Sequence, residues 1–199
     1  PPLKVFQRGV LRQDVWNLLM ENTRMPRMVG RDFQAMIGGC TVGERRLHAL
    51  LQRYGADCLR THIDALLDSS EAMMRAEIER LPNGRYLAEA STMDDGQDKQ
   101  AVYMARLAVS IDGSTITFDF SGSDPQAPGW INGVYATAYS ATVCSLFMCV
   151  DPFLSKNAGA MRPIQVLLPE GSFLNARYPA ASVRGNFTCN DVIGDSIMR

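Results

Sequence analysis

Apolar positions recur every three or four residues through the first part of the chain and every second residue after it, so helices followed by strands are expected. In residues 11–24, Val15, Leu18 and Leu19 take helical spacing and Pro26 ends the segment, which predicts a short amphipathic helix. The spacing resumes from Arg31 with Phe33, Met36, Ile37, Leu47, Leu50 and Leu51, and stops at Tyr54-Gly55, where glycine suits a helix end. Gly38-Gly39 interrupts it and marks an expected bend or close packing. After Gly55, residues Leu59, Ile63, Leu66, Leu67, Met73, Met74, Ile78 and Leu81 predict a long helix that Pro82-Asn83-Gly84 breaks. Its opposite side, from Arg60 through Asp68 and Glu71 to Arg80, is expected to be a solvated face of paired charges.

Beyond the Asn-Gly turn the period falls to two. Ala101, Tyr103, Ala105, Leu107, Val109 and Ile111 alternate with less apolar neighbours, Asp112-Gly113 supplies a two-residue turn, and Ile116, Phe118 and Phe120 alternate back, predicting a hairpin. The acidic stretch at 91–100 holds Asp94, Asp95 and Asp98 but lacks the ordered spacing and final Glu of a calcium loop, so a solvated loop is expected. Residues 132–150 are uncharged yet studded with Asn, Thr, Ser and Tyr, which favours a helix buried in protein over a bilayer span. A short strand follows at PIQVLL, and Val192, Ile193, Ile197 and Met198 begin one face of a last helix. The fold class is therefore α+β: a helical segment over 1–84, then an antiparallel or mixed sheet with a long hairpin and a buried helix packed against it over 85–199. The chain opens on Pro1-Pro2, where no targeting leader is read, and stops inside its last helix, so it is expected to be an internal part of a longer polypeptide.

Composition changes this picture little. With 46% hydrophobic and 21% charged residues, the 199-residue chain is ordinary for a globular protein. A net charge of -1 gives no electrostatic footprint for nucleic acid or an anionic membrane. Five cysteines without a C-x-x-C pair predict free, mostly buried thiols in a reducing, cytoplasmic setting. His48 and His62 have no second ligand four residues further on, which argues against a metal site built by this chain alone. No triad order, nucleophile elbow, Walker A loop or dinucleotide fingerprint is present.

Three clusters of glycine and polar residues follow strand-like segments. In residues 119–132, Asp119 points away from the Phe118/Phe120 face, Ser121 exposes a hydroxyl, and Asn132 is placed to cap the next helix, an arrangement suited to an anionic group or simply to a turn and cap. In residues 157–172, Asn157 and Gly159 tolerate unusual backbone angles, and Arg162 is expected to pair with Glu170 or with a substrate carboxylate. Pro169-Glu170-Gly171-Ser172 reads as a tight turn. In residues 182–191, Gly185-Asn186 leads into a helix start, and Cys189, with no histidine nearby in sequence, reads as structural rather than nucleophilic.

The succession D-F-S-G-S at 119–123, P-Q at 125–126, I-N at 131–132, N-A-G at 157–159, R-P-I at 162–164, P-E-G-S-x-L-N at 169–175, P-A-A at 179–181 and G-N at 185–186 closely resembles the hydantoinase B/oxoprolinase family, and GERRLHALLQRYG at 43–55 resembles that family's long central helix. The resemblance covers essentially the whole chain. It implies a portion of a subunit that works with an ATP-binding, hydantoinase A-like subunit in a hetero-oligomer, with ATP and Mg on that partner and any divalent metal held outside this portion. It implies ATP-dependent opening of a small cyclic amide such as a hydantoin, 5-oxoproline or a lactam. Related subunits serve ketone carboxylases of the acetophenone and acetone type, and a segment devoted to assembly is the further alternative. Asp119, Ser121, Asn132, Asn157, Arg162, Glu170 and Asn186 are the polar residues the resemblance puts forward for the site, either touching substrate or holding loops. Arg184 departs from the family, where glycine commonly stands before the G-N pair; it faces either the cavity or solvent.

Overall fold

The computed structural model describes residues 3–199 and opens with a two-rung hairpin, β1 (Phe6–Gln7) and β2 (Val10–Leu11), which the apolar pattern is too short to announce. Pro1 and Pro2, where no leader was read, lie outside the described residues. Three helices follow: α1 (Gln13–Glu21), α2 (Pro26–Tyr54) and α3 (Ala56–Glu79). Pro26 begins α2 rather than only closing the segment before it. At the first helical position its missing N–H is one that the helix leaves unpaired anyway. Gly38-Gly39 neither bends nor packs closely: α2 runs through both, and nothing lies within 4 Å of where a side chain would start. Gly55 ends α2 by donating its N–H to Leu51 O at 2.9 Å and starts α3 by accepting from Leu59 N at 3.2 Å.

The chain divides into two compact units, residues 1–62 and 63–199. In the second, β3 (Gly84–Met93), β4 (Val102–Asp112), β5 (Thr115–Asp119) and a later strand, β6 (Ile164–Leu167), form one mixed sheet in the order β3-β4-β5-β6. The first three are antiparallel and β6 runs parallel to β5. Between β5 and β6 come α4 (Tyr135–Cys149) and the single turn α5 (Ala158–Met161), and α6 (Gly185–Met198) closes the chain. The α+β class with a mixed sheet is as the pattern predicts. Two boundaries differ. Residues 91–93 belong to β3, paired with β4 from Ser91↔Met104 to Met93↔Val102, so the acidic loop is shorter than expected. The hairpin turn is Gly113-Ser114, because Asp112 pairs with Thr115.

Period-two burial holds along the hairpin: Ala105, Leu107 and Ile111 face inward on β4, as do Ile116 and Phe118 on β5. They meet Met74 and Ile78 from the last turns of α3, and Phe120, Ile131, Phe173, Leu174 and Ile193 from the loops and α6. It is α6 that lies on β3 and β4, with α4 packed on α6 and touching the sheet at β6. No helix among the described residues is long and apolar enough to cross a membrane. Phe118, 1% exposed, fills the middle of this core. Phe118→Ala is expected to lower unfolding free energy by about 3–5 kcal/mol through lost burial and a residual cavity, whereas Leu87→Ala, at a side chain 77% exposed, changes it by less than about 0.5 kcal/mol; urea midpoints read both.

Candidate functional site

The loops that leave the sheet are braided around one side chain. Asn132 is fully buried; its Oδ1 accepts from Ala127 N at 2.7 Å, and its Nδ2 lies 2.9 Å from the carbonyl oxygens of Ala127, Gly129 and Ala181. One amide thus joins the 119–134 loop to the 177–184 loop. Backbone bonds extend the braid: Gly133 N donates to Phe173 O at 2.7 Å, Ala176 N to Gly133 O at 3.0 Å, Gln126 N to Gly171 O at 2.8 Å and Arg184 N to Trp130 O at 3.2 Å. Backbones this close leave no room for side chains. A Cβ at Gly185 would overlap the Asn132 carbonyl, and one at Gly129 would overlap the Asp95 carbonyl.

Asp95 anchors the braid from the other side. It is 2% exposed, its Oδ1 accepts from Gln97 N and Asp98 N at 2.8 Å each, and its Oδ2 accepts from the Tyr103 hydroxyl at 3.0 Å and Gly129 N at 3.3 Å. The N–H groups of Asp98 and Gln97 hold its carboxyl below the usual value against the opposing effect of burial. Burial, and then the Asp95 carboxylate, push the Tyr103 phenol up. Asp95 is therefore no part of a solvated loop, contrary to expectation. The local pattern does not announce its burial, because the partners that enclose it, Tyr103 and Gly129, stand 8 and 34 residues away. Asp124 is a second residue the sequence reading passed over. It accepts from Met104 N at 2.8 Å and from Arg106 Nη1 at 2.6 Å, fastening the 119–134 loop to β4.

The seven candidate residues fall into separate places. Asp119 ends β5 and accepts from Ser121 N at 2.8 Å; both line an open cavity of about 470 Å³ with Arg85, Glu89 and Arg106. Asn132 does not cap α4, whose N-cap is Val134 without a side-chain bond, because its amide is committed to the braid. Asn157 caps α5, accepting from Gly159 N at 2.9 Å and Ala160 N at 3.3 Å, and donates to Ser70 Oγ on α3 at 2.8 Å. Arg162 is paired not with Glu170 but with Asp68 at 2.7 Å and Glu71 at 2.9 Å on α3. Arg162 first, then Arg75, lower the Glu71 carboxyl. Glu170 instead pairs with Arg177 at 3.3 Å on the surface. The reach decides it: the turn at 169–172 carries Glu170 out beyond β6, whereas Arg162 at the end of α5 lies over α3. Asn186 is exposed in the first turn of α6. A groove of about 350 Å³ opens between the end of β3 and α6, lined by Asp94, Arg184, Phe187, Asp191 and Asp195.

The cysteines also depart from expectation, since Cys40, Cys58, Cys144 and Cys149 are exposed and only Cys189 is buried. Cys58 stands four residues before His62, with Sγ and Nδ1 3.6 Å apart, a neighbour that looking only four residues onward had passed over. Among the described residues no three His, Cys, Asp or Glu side chains converge as a metal site would require. Cys189 Sγ lies 3.6 Å from Phe173 O and 3.8 Å from Ile131 O, within the braid, and burial pushes its thiol up to about 12. A thiol that stays protonated there is a packing group, not a nucleophile.

Residues 1–199 match the family described as Hydantoinase B/oxoprolinase, and the chain belongs to that family. It is 33% identical to caprolactamase subunit beta of Pseudomonas jessenii over 99% of this chain and 34% of that protein. It superposes on the crystal structure of the ATP-dependent caprolactamase of Pseudomonas jessenii with a TM-score of 0.89 at 33% identity, over 99% of this chain and 34% of that one. The nucleotide-free structure of acetone carboxylase has the same fold, with a TM-score of 0.81 at 17% identity over 92% of this chain and 26% of that one. The chain thus spans about a third of the length of the curated relatives it matches.

Because the folded state keeps the Cys189 proton up to about 12 while the unfolded thiol loses it near 9, its contribution to stability is full below 9 and is lost as pH rises from 9 to 12, by about 1.4 kcal/mol per pH unit. Cys189→Ala is expected to flatten that decline in urea titrations. In native protein, iodoacetamide is expected to label Cys40, Cys58, Cys144 and Cys149 and to leave Cys189 untouched until denaturant is added.

Proposed function

We propose that this chain is part of a B-type subunit of an ATP-dependent cyclic amide hydrolase, acting with a separate ATP-binding subunit on a small lactam- or hydantoin-like ring. The observation that carries the reading is the likeness to the ATP-dependent caprolactamase along 99% of the chain, in sequence as well as fold. The likeness to acetone carboxylase at 17% identity speaks for fold alone, so ketone carboxylation stands second.

A cyclic amide resists water because resonance leaves its carbonyl carbon weakly electrophilic. ATP, with its Mg on the partner subunit, would supply phosphorylation of the amide oxygen with release of ADP, which makes that carbon open to attack by water; ring opening then requires cleavage of the ring C–N bond with a proton delivered to the departing nitrogen, and a further hydrolysis frees the carboxylate and phosphate. Residues of this chain serve such chemistry by fixing the ring and meeting the charge that develops on its oxygen or nitrogen. Asp119 and Ser121, which line one open cavity, and Asn186, exposed at a separate place in the first turn of α6, are assigned to that contact because their side chains remain accessible. Asn132, Asn157, Arg162 and Glu170 are assigned to holding the loops, since their polar groups are already engaged within the chain. Any divalent metal is assigned to the part of the polypeptide outside residues 1–199. Free cysteines fit a reducing compartment such as the cytoplasm.

The test uses the full-length polypeptide together with its ATP-binding partner. ADP release is expected to rise when a lactam or hydantoin is added and to track ring opening; release driven only by a ketone plus bicarbonate would replace the hydrolase with a carboxylase. Ser121→Ala and Asn186→Ala are expected to lower kcat/KM by about tenfold or more while the complex still assembles. Loss of assembly with turnover per complex unchanged would assign these residues to a scaffold.

A further inference from the structure

The cavity that holds Asp119 and Ser121 lies on the outward face of the sheet, and strand register says what borders it. Leu87, Ala108 and Asp119 stand in one row across β3, β4 and β5, and Glu89 faces Arg106 in the next row of the same face. Ala108, small between its taller neighbours, leaves the hollow that the others line.

Beyond Asp119 the chain turns sharply. Ser121 and Gly122 are the two central residues of a turn closed by Ser123 N donating to Phe120 O at 3.0 Å. Both ends of this turn are rooted, Phe120 by burial at 1% exposure and Asp124 by accepting from Met104 N at 2.8 Å and donating its own N–H to Met104 O at 3.0 Å. The tip between them carries the Ser121 hydroxyl, which has no hydrogen-bond partner among the described residues. Ser121 N donates to Asp119 Oδ1, so the place of the tip also sets one oxygen of that carboxylate and leaves the other free.

The side chain that reaches the tip from β4 is Arg106. Its Nη1 donates to Gly122 O at 2.9 Å and to Asp124 Oδ1 at 2.6 Å, and its Nε stands 3.7 Å from Glu89. Gly122 lies directly on the arginine stem, where an added Cβ would come within 3.3 Å of Arg106 Cβ. Its backbone adds a further tie, Arg106 N donating to Ser123 Oγ at 3.1 Å. One exposed ion pair adds little stability by itself, whereas a guanidinium shared between a carboxylate and a loop carbonyl fixes a geometry.

We propose that Arg106 is a positioning residue of the reaction: by clamping Gly122 against Asp124 it holds the Ser121 hydroxyl and the Asp119 carboxylate at fixed places above the Leu87–Ala108 floor, where the amide of the ring lies. This rests on the reading that Asp119 and Ser121 meet the ring. Groups that meet charge as it develops act on the rate of the bound complex, and a misplacement of about 1 Å costs about a hundredfold. The clamp is therefore read in kcat rather than in KM.

The experiment uses the full-length polypeptide with its ATP-binding partner and follows ADP release with caprolactam or hydantoin, whichever drives it in wild type. Arg106→Ala is expected to lower kcat by about tenfold or more while KM changes by less than about threefold. Guanidinium chloride at about 20 mM, far below the molar concentrations that unfold a domain, is expected to refill the space between Glu89 and Asp124, raising that variant's kcat by about threefold or more and leaving wild type unchanged. Arg106→Lys, whose shorter point charge does not reach both acceptors, is expected to lose about threefold or more. Arg80→Ala, which removes the exposed pair with Glu77, is expected to keep the wild-type rate. Hydrogen exchange reads the clamp without any substrate: in Arg106→Ala the amides of Ser123 and Asp124 are expected to exchange faster while those of β5 keep their protection. Wild-type kcat in an assembled Arg106→Ala or Arg106→Lys complex overturns the proposal, as does a loss that guanidinium leaves untouched. A raised KM with unchanged kcat makes Arg106 a substrate contact and overturns it too. A wild-type complex that answers to neither ring sinks the hydrolase reading instead; exchange then decides the clamp, with faster exchange at Ser123 and Asp124 supporting it and unchanged exchange overturning it.

Discussion

A single buried amide sets the geometry of the C-terminal half. Asn132 must have partners for its oxygen and its N–H groups once water is gone, since an unsatisfied polar group in the core costs about 1–3 kcal/mol. Its partners are backbone groups at Ala127, Gly129 and Ala181, so meeting that requirement draws two loops to one point. Glycine at 129 and 185 is what permits the approach, and Asp95 and Asp124 do for the edges of the braid what Asn132 does for its centre. The 127–134 stretch, the 177–184 loop and the start of α6 are positioned by this arrangement, while Asp119 is set by its place in the sheet at the end of β5.

A second polar link ties the far flank to the long helix. Asn157 and Arg162 lie at the two ends of α5 and engage Ser70, Asp68 and Glu71, which fall within one turn of α3. The charged face of that helix is thus not wholly a solvated surface, because its middle turns receive α5. The arginine's interaction is shared between two carboxylates, and Glu71 is shared in turn between Arg162 and Arg75. Such a chain fixes α5 against α3 more firmly than a lone exposed pair would.

Periodicity carried the fold well because burial on a strand or helix is set locally: Ile111, Ile116 and Phe118 are inward for the same reason that they alternate. Turn residues carried the places where the chain reverses, though not the register, which moved the hairpin turn from Asp112-Gly113 to Gly113-Ser114. What the pattern does not contain is long-range pairing. Arg162 and Glu170 looked like partners because they are near in sequence, yet the partners of Arg162 lie more than ninety residues earlier. Asp95 looked solvated because its neighbours are polar, and its burial depends on Tyr103 and Gly129. The family motifs, in contrast, are strings of the very glycines, prolines and asparagines that the braid needs, which is why family membership was legible where individual contacts were not.

The claim on which most else rests is that Asn132 fastens the loops into one unit. Native-state hydrogen exchange tests it through the amides of Ala127 and Gly133 in the 119–134 loop and of Ala176 and Arg184 in the later loops. In wild type they are expected to exchange together with one opening free energy, and in Asn132→Ala all four are expected to lose protection by the same amount while β4 and β5 keep theirs. Four unrelated opening energies in wild type, or an Asn132→Ala effect confined to Ala127, would contradict the account.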